Sequence, residues 1–239
     1  MSESPPVLYE RYGAQVAVIT LNRPEKKNAI NLQMAELIRS YLRQADNDDT
    51  IRAIVMAGQP AVFSAGMDVN AFRQGELPIV TPEGFGGLIH AQIAKVIIAA
   101  VDGIAYGGGF ELALACDLIV AGQNARFSFP ETVLGLVAAQ GGCARLPARV
   151  SPYVALDWLL TGRTVGAREA LSHGAISRIS EGSAREEALR IAEQIAGKDL
   201  AASLAVKAIV RQGLTQREAP SFDFQQAPVE RLRQAAARR

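Results

Sequence analysis

The chain has 239 residues, 49% of them hydrophobic and 21% charged, which suits a globular protein with a sizeable core and excludes a disordered one. Lys and Arg number 25 against 24 Asp and Glu, so there is no global field to hold nucleic acid or an anionic membrane, and neither partner is expected. Only 2 Cys and 2 His are present. Cys116, Cys143, His90 and His173 are scattered without CxxC or HExxH spacing, so neither a zinc centre nor a disulfide scaffold is expected, and proton chemistry falls to carboxylates.

Residues 7–10 and 15–21 alternate or run apolar around Tyr12-Gly13, the pattern of a hairpin, and Asn22-Arg23-Pro24 stops the second strand. From Asn31 onward, Met34, Ala35, Leu37, Ile38, Tyr41, Leu42 and Ala45 fall at the spacing of an amphipathic helix. Residues 51–57 read as a β-branched strand, and residues 74–87, rich in Gly with Pro78 and Pro82, as a mobile loop. A buried strand over 96–101, a glycine-rich turn, a helix over 110–116 and strands over 118–121 and 126–129 come next. Helices are predicted over 153–160, 167–171, 185–195 and 201–212, so an α/β core carries an appended helical layer. His90 and Trp158 fall in helical patterns and read as packing residues; His173 reads as a helix end, and Cys116 and Cys143 as reduced structural thiols. The first residues lack a basic and an apolar run, and the apolar stretch 96–120 is broken by Asp102, Glu111 and Asp117. Neither a signal peptide nor a membrane span is therefore expected, and the expected location is the cytoplasm.

The run Asp102-Gly103-Ile104-Ala105-Tyr106-Gly107-Gly108-Gly109-Phe110-Glu111 leaves a strand and opens a helix. Glycines there let backbone approach a ligand, and the helix's first amides suit negative charge developing on oxygen. The spacing matches neither GxxxxGK[ST] nor GxGxxG, so no phosphate-binding loop is supported. Tight strand–helix packing explains the glycines equally well, with Glu111 then a surface residue. The apolar neighbours of Glu111 favour a desolvated carboxyl with a raised pKa. Glu131, after Pro130, reads either as a turn cap or as a second acid.

The chain resembles the enoyl-CoA hydratase/isomerase (crotonase) family. The resemblance is carried by Leu21-Asn22-Arg23-Pro24 with Asn28-Ala29, Phe63-Ser64-Ala65-Gly66-Met67-Asp68, the stretch from Ile98 to Asp117, Phe129-Pro130-Glu131-Thr132-Val133-Leu134-Gly135, Gly141-Gly142 with Arg145-Leu146-Pro147, and Leu160-Thr161-Gly162. It implies an α/β spiral of ββα repeats over 1–180, holding the CoA and acyl site, and a C-terminal helical trimerisation region over 181–239. It also implies an acyl-CoA substrate, no separate cofactor, and a homotrimer or a dimer of trimers. The thioester would lie against Ala65, Gly66, Met67, Asp68, Gly107 and Gly108, with the amides of Met67 and Gly108 as an oxyanion hole. Glu111 would be the main base on water, with Glu131 holding that water and protonating C2, or the reverse. The activity implied is hydration of a 2-enoyl-CoA; isomerisation, which needs one carboxylate, a carnitinyl-CoA dehydratase-like activity and a non-catalytic CoA-binding oligomer are the alternatives.

Two stretches depart from the family pattern. The loop Leu136-Val137-Ala138-Ala139-Gln140 lacks the usual Pro, leaving the acyl class open. The C-terminus, with Ser221-Phe222-Asp223-Phe224 and Arg231, Arg233, Arg238 and Arg239, replaces the usual closing helix, which in relatives lends groups to a neighbour's CoA site. Those arginines read as a solvated helix end, or as partners for CoA phosphates or RNA, and Lys26 and Lys27 as a solvated turn or as partners for CoA phosphates.

Overall fold

The computed structural model describes residues 4–236. In chain order the elements are β1 (Val7–Tyr12), β2 (Val16–Leu21), α1 (Leu32–Asn47), β3 (Ala53–Ala57), β4 (Val62–Ser64), α2 (Val69–Arg73), β5 (Ile79–Val80), β6 (Gly84–Phe85), β7 (Val96–Val101), β8 (Ile104–Tyr106), α3 (Gly108–Ala115), β9 (Leu118–Gly122), β10 (Arg126–Ser128), α4 (Gly142–Arg145), α5 (Pro152–Thr161), β11 (Val165–Gly166), α6 (Ala167–Ser172), β12 (Arg178–Ser180), α7 (Ala184–Ala196) and α8 (Leu200–Ala236). Short 3₁₀ turns occupy Pro24–Lys26 and Pro130–Leu134.

A six-stranded sheet runs β1-β2-β3-β7-β9-β12 and a four-stranded sheet β11-β10-β8-β4. After the β1–β2 hairpin, every pairing in the large sheet is parallel, and so are β4–β8 and β8–β10 in the small one. Successive turns of chain thus place one strand in each sheet (β3 then β4, β7 then β8, β9 then β10), which is a spiral. The predicted α/β class holds. The repeat is one of backbone path; no fixed sequence period carries it.

The central strands are apolar on both faces because both are covered. Ala17, Ile19, Ile54, Met56, Ile97 and Ala99 face the main core between the sheets, with α1. The alternate residues Val16, Val18, Val55, Ile98 and Val120 face Ala188, Leu189 and Ala192 of α7. Helix α1 begins where predicted, the Asn31 side chain accepting from the Met34 amide.

Three expectations need correction. Residues 74–87 are not an open loop: β5 and β6 pair antiparallel, Val80, Glu83 and Phe85 are buried, and the Glu76 carboxylate accepts from the Leu32 amide. His90 lies in a turn rather than a helix, its ring edge-on to Phe222. The chain after 212 does not leave the helix; α8 runs through Ser221-Phe222-Asp223-Phe224 and past Pro220 and Pro228. Arg238 and Arg239 lie outside the described residues.

Asn28 ties the first 3₁₀ turn to β4. Its side chain accepts from the Arg23 amide at 2.7 Å and donates to the Val62 and Phe63 carbonyls at 3.0 and 3.1 Å, fully buried at φ 51°. Asn28→Ala is expected to lower the unfolding free energy by ~3 kcal/mol in a urea titration, and Asn28→Gly by ~1 kcal/mol less because glycine adopts that φ freely. A loss under about 1 kcal/mol for the alanine variant would show that these bonds are not what holds the turn.

Candidate active site

Ser64, Tyr106 and Ser128 end β4, β8 and β10, and the parallel registers Ser64↔Ala105 and Tyr106↔Ser128 bring those ends together. The segments leaving these three strands therefore converge: Ala65 to Asp68 after β4, Gly107 and Gly108 after β8, Pro130 and Glu131 after β10.

The turn after β4 makes an isolated parallel bridge with Ile30. Ile30 donates to the Gly66 carbonyl at 2.7 Å and accepts from the Asp68 amide at 2.9 Å, so the Met67 N–H between them points away from the bridge. Gly108 is the first residue of α3, where an amide has no partner within the helix. Phe110 and Glu111 both donate to the Gly107 carbonyl, leaving the Gly108 amide outside those bonds. A Cβ on Gly66, which sits at φ +97°, would lie 3.0 Å from the Gly108 nitrogen and 2.8 Å from the Tyr106 carbonyl oxygen. The two amide-bearing turns are thus packed against each other. Each glycine of the triple run has its own close neighbour: a Cβ would meet Glu131 Oε1 at 2.9 Å from Gly107, the Phe85 ring at 2.5 Å from Gly108 and the Ser64 carbonyl at 2.4 Å from Gly109. Tight packing is thus true of this run, and Gly108 also borders a cavity.

Helix α3 is buried along its whole length, Phe110 stacking on Phe129 and tilted against Phe127 with ring centroids 4.8 Å apart in each pair. An apolar helix thereby carries Glu111 into the interior at 3% exposure. Its Oε1 accepts from the Gly142 amide at 2.9 Å, at the start of α4. Burial, then the charge of Glu131, push its pKa up to about 8 despite the opposing amides of Gly142 and Gln140 and the charge of Arg145. Burial also lifts Glu131 to about 7, its own amide opposing, and its Oε2 is sealed from solvent without a hydrogen-bond partner.

Both carboxyls, Met67 and Gly108 line one cavity of about 320 Å³ whose other walls include Phe72, Leu77, Val137 and Gln140. Asp68 has a different task. Its carboxylate caps α2 through the Asn70 and Ala71 amides and pairs with Arg23 at 2.6 Å; burial would raise its pKa, but Arg23 and the two amides outweigh that and hold it below the ordinary range. Ala65 donates to the Lys27 carbonyl at 2.9 Å, so the exposed Lys26-Lys27 turn flanks the first of these loops. Cys116 is buried and free, burial pushing its thiol up to about 12, and Cys143 is half-buried. Among the described residues, no group of three or more His, Cys, Asp or Glu is placed to hold a metal.

Three contributors escaped sequence reading: the Gly142 amide that holds Glu111, the apolar wall of Phe72, Leu77 and Val137, and Val229 with Leu232 of α8, which line the same cavity. Val229 and Leu232 belong to a series at helical spacing, 218, 222, 225, 229 and 232, which was legible in principle but is interrupted by Pro220 and Pro228.

The family model described as enoyl-CoA hydratase/isomerase matches residues 11–239. A carnitinyl-CoA dehydratase of Citrobacter koseri is 40% identical over 216 residues, 88% of this chain and 81% of that protein. A probable enoyl-CoA hydratase of Rhizobium meliloti is 38% identical over 226 residues, covering 92% and 86%. The solved structure of a carnitinyl-CoA dehydratase from Mycobacterium avium 104 has a TM-score of 0.90 at 37% identity, covering 96% of this chain and 92% of that one.

The buried acid has a stability signature. Raised from 4.5 to about 8, Glu111 keeps in the native state a proton that the unfolded chain gives up, so stability falls as pH rises through that window. Glu111→Gln, which keeps the acceptor for Gly142, is expected to raise the unfolding free energy at pH 9 by ~5 kcal/mol and to leave it unchanged near pH 4. Equal gains at both pH values in denaturant titrations would mean that the carboxyl is not held protonated.

Proposed function

The chain belongs to the enoyl-CoA hydratase/isomerase family, and we propose that it adds water to a 2-enoyl-CoA thioester, reversibly with dehydration of the 3-hydroxyacyl-CoA, through Glu111, Glu131 and the amides of Met67 and Gly108. The observation that carries this reading is that two carboxyls with pKa values near neutrality share one largely apolar cavity with two backbone amides free of secondary-structure bonds.

Attack of water on C3 drives charge onto the thioester oxygen. Two amides fixed around that oxygen each stabilise the enolate-like transition state by ~3 kcal/mol, because the folded backbone has already oriented them. The thioester lies along Ala65 to Asp68 and Gly107 to Gly108, with Asp68 stiffening the first turn through Arg23 and the α2 cap. Water loses a proton as its oxygen bonds to C3, and C2 gains one, so one carboxyl must be ionised and the other protonated. The free-site values, about 8 and about 7, differ little, and a bound thioester desolvates both groups further; hydrogen bonding therefore sets the roles. Glu111 and Glu131 share one proton near neutrality; the Gly142 amide favours the arrangement in which Glu111 is the ionised partner, and in it Glu111 serves as the base on water, the reverse split being the alternative. Glu131, the other carboxyl that lines the cavity, holds the water and carries the proton to C2. An isomerase needs a single carboxylate, whereas this cavity holds two. The reaction uses no cofactor beyond the coenzyme A of the substrate.

The working form is a homotrimer or a dimer of trimers. Val133 and Leu134, two and three residues after Glu131, are 77% and 60% exposed, and Tyr153, Leu156 and Leu160 of the adjoining α5 add to the same apolar region. A second copy covering that region would also fix the turn that holds Glu131. The cytoplasm, where free thiols such as Cys116 and Cys143 stay reduced, is the proposed location; among the described residues no helix is long and apolar enough to cross a membrane.

Crotonyl-CoA hydration, followed by loss of the enoyl absorbance, is expected to fall about 10²–10⁴-fold in Glu111→Gln and in Glu131→Gln, and the wild-type rate to peak between apparent pKa values near 7 and 8. Wild-type rates in both variants would eliminate the two-carboxyl mechanism. Light scattering on the double variant Tyr153→Glu, Leu156→Glu is expected to show a monomer where the wild type shows three or six copies; an unchanged mass would move the interface elsewhere.

A further inference from the structure

Helix α8 meets the cavity along one stripe. Glu218, 5% exposed, lies 3.5 Å from both Arg145 and Arg149. One turn on, the Phe222 ring packs edge-on against His90 at 5.2 Å and lies under the Arg145 guanidinium at 5.3 Å. Gln225 donates to the Ala139 carbonyl at 2.8 Å, gripping the Leu136–Gln140 loop that itself lines the cavity. Val229 and Leu232 then form part of the cavity wall. Spacings of four, three, four and three residues keep all five side chains on one helix face over ~21 Å.

From this stripe we propose that the end of α8 is a specificity wall supplied by the same chain: Val229 and Leu232 set the length of the acyl group, and their surface selects an apolar tail over a cationic one. The inference rests on reading this cavity as the acyl site. Among the described lining residues, Glu111 and Glu131 are the only ionisable groups, and both are engaged in the proton transfers. The similar carnitinyl-CoA dehydratases handle an acyl group whose trimethylammonium is permanently charged. Such a tail would sit here against Leu77, Val229 and Leu232 with no dedicated counter-charge, and the rings of Phe72 and Phe85 would replace only part of the hydration it loses. An alkyl tail gains from the same surface.

Two measurements test the wall on the full-length protein. The first is the ratio of kcat/KM for 2-decenoyl-CoA over crotonyl-CoA, alongside the ratio of Kd for saturated decanoyl-CoA and butanoyl-CoA. Val229→Ala is expected to move both ratios about 10-fold toward the long chain and Val229→Trp about 10-fold toward the short one; ratios unchanged within about twofold in both variants would overturn the proposal. If the wild type hydrates no enoyl-CoA, the hydratase reading falls, and the Kd ratios still decide on the wall. The second compares a 2-enoyl-CoA ending in trimethylammonium with its uncharged tert-butyl isostere. The isostere is expected to be preferred at least about 10-fold in kcat/KM and in Kd; preference for the cation overturns the selectivity. Finally, mixed oligomers of a Glu111→Gln chain with a Val229→Ala chain are expected to show only the chain-length profile of Val229→Ala. A wild-type component in that profile would mean that a neighbouring copy supplies the wall.

Discussion

The site depends on the parallel register of three short strands. Because β4, β8 and β10 run the same way and end side by side, three segments remote in sequence leave the small sheet at one edge. Each brings a different chemical element: an amide at Met67, an amide at Gly108 and a carboxyl at Glu131. None is placed by a side-chain rotamer alone. The Gly107 amide donates to the Ser128 carbonyl at 2.9 Å, so the turn that aims Gly108 is itself pinned to the strand that leads to Glu131. A slip of one residue in that pairing would reverse the faces of β10 and break the group apart.

The fourth element, Glu111, reaches the same place from within. Burying a carboxylate without partners is costly, and the protein answers in two ways. One oxygen receives the Gly142 N–H, and the pKa rises far enough for the carboxyl to hold or release a proton near neutrality. The penalty that destabilises the ionised form in the folded state is the same one that gives the group a proton affinity useful for moving protons at physiological pH. The mutual repulsion of Glu111 and Glu131 adds to it, so a pair sharing one proton is favoured over two anions. The packing of α3, apolar around its full circumference, thus sets the proton affinity of Glu111 as well as filling the core.

How much of this could be read from the sequence depends on whether a feature is local. Strands over 96–101 and 118–121, the amphipathic α1 and the helix opening at the glycine run are carried by spacing within a dozen residues, and those readings hold. The α/β class and the two turns at Ala65–Asp68 and Gly107–Gly108 were legible through motifs. The convergence of those turns was not, because it is a property of strand register. Residues 74–87 misled because glycines and prolines there make a tight hairpin with positive φ at Gly84, Gly86 and Gly87, and local composition does not distinguish a tight turn from a loose loop. The fully conventional signal of Asn31 as an α1 cap shows the contrast: its partner is three residues away.

The end of the chain shows a different limit. Pro220 and Pro228 each delete a ladder bond and crowd the preceding turn, at a cost of about 3 kcal/mol in a helix interior. With Gly213 ahead of them, propensity alone ends the helix near residue 212. The helix continues because Glu218, Phe222 and Gln225 dock against Arg145, Arg149, His90 and Ala139, and that docking offsets the lost bonds. Helicity beyond Pro220 is then conditional on contact with the α4 region, the same segment whose first amide holds Glu111. Closure of the cavity by Val229 and Leu232 and positioning of the buried acid therefore share one set of contacts, and a change that undocks the stripe opens that end of the cavity while it loosens the support of Glu111.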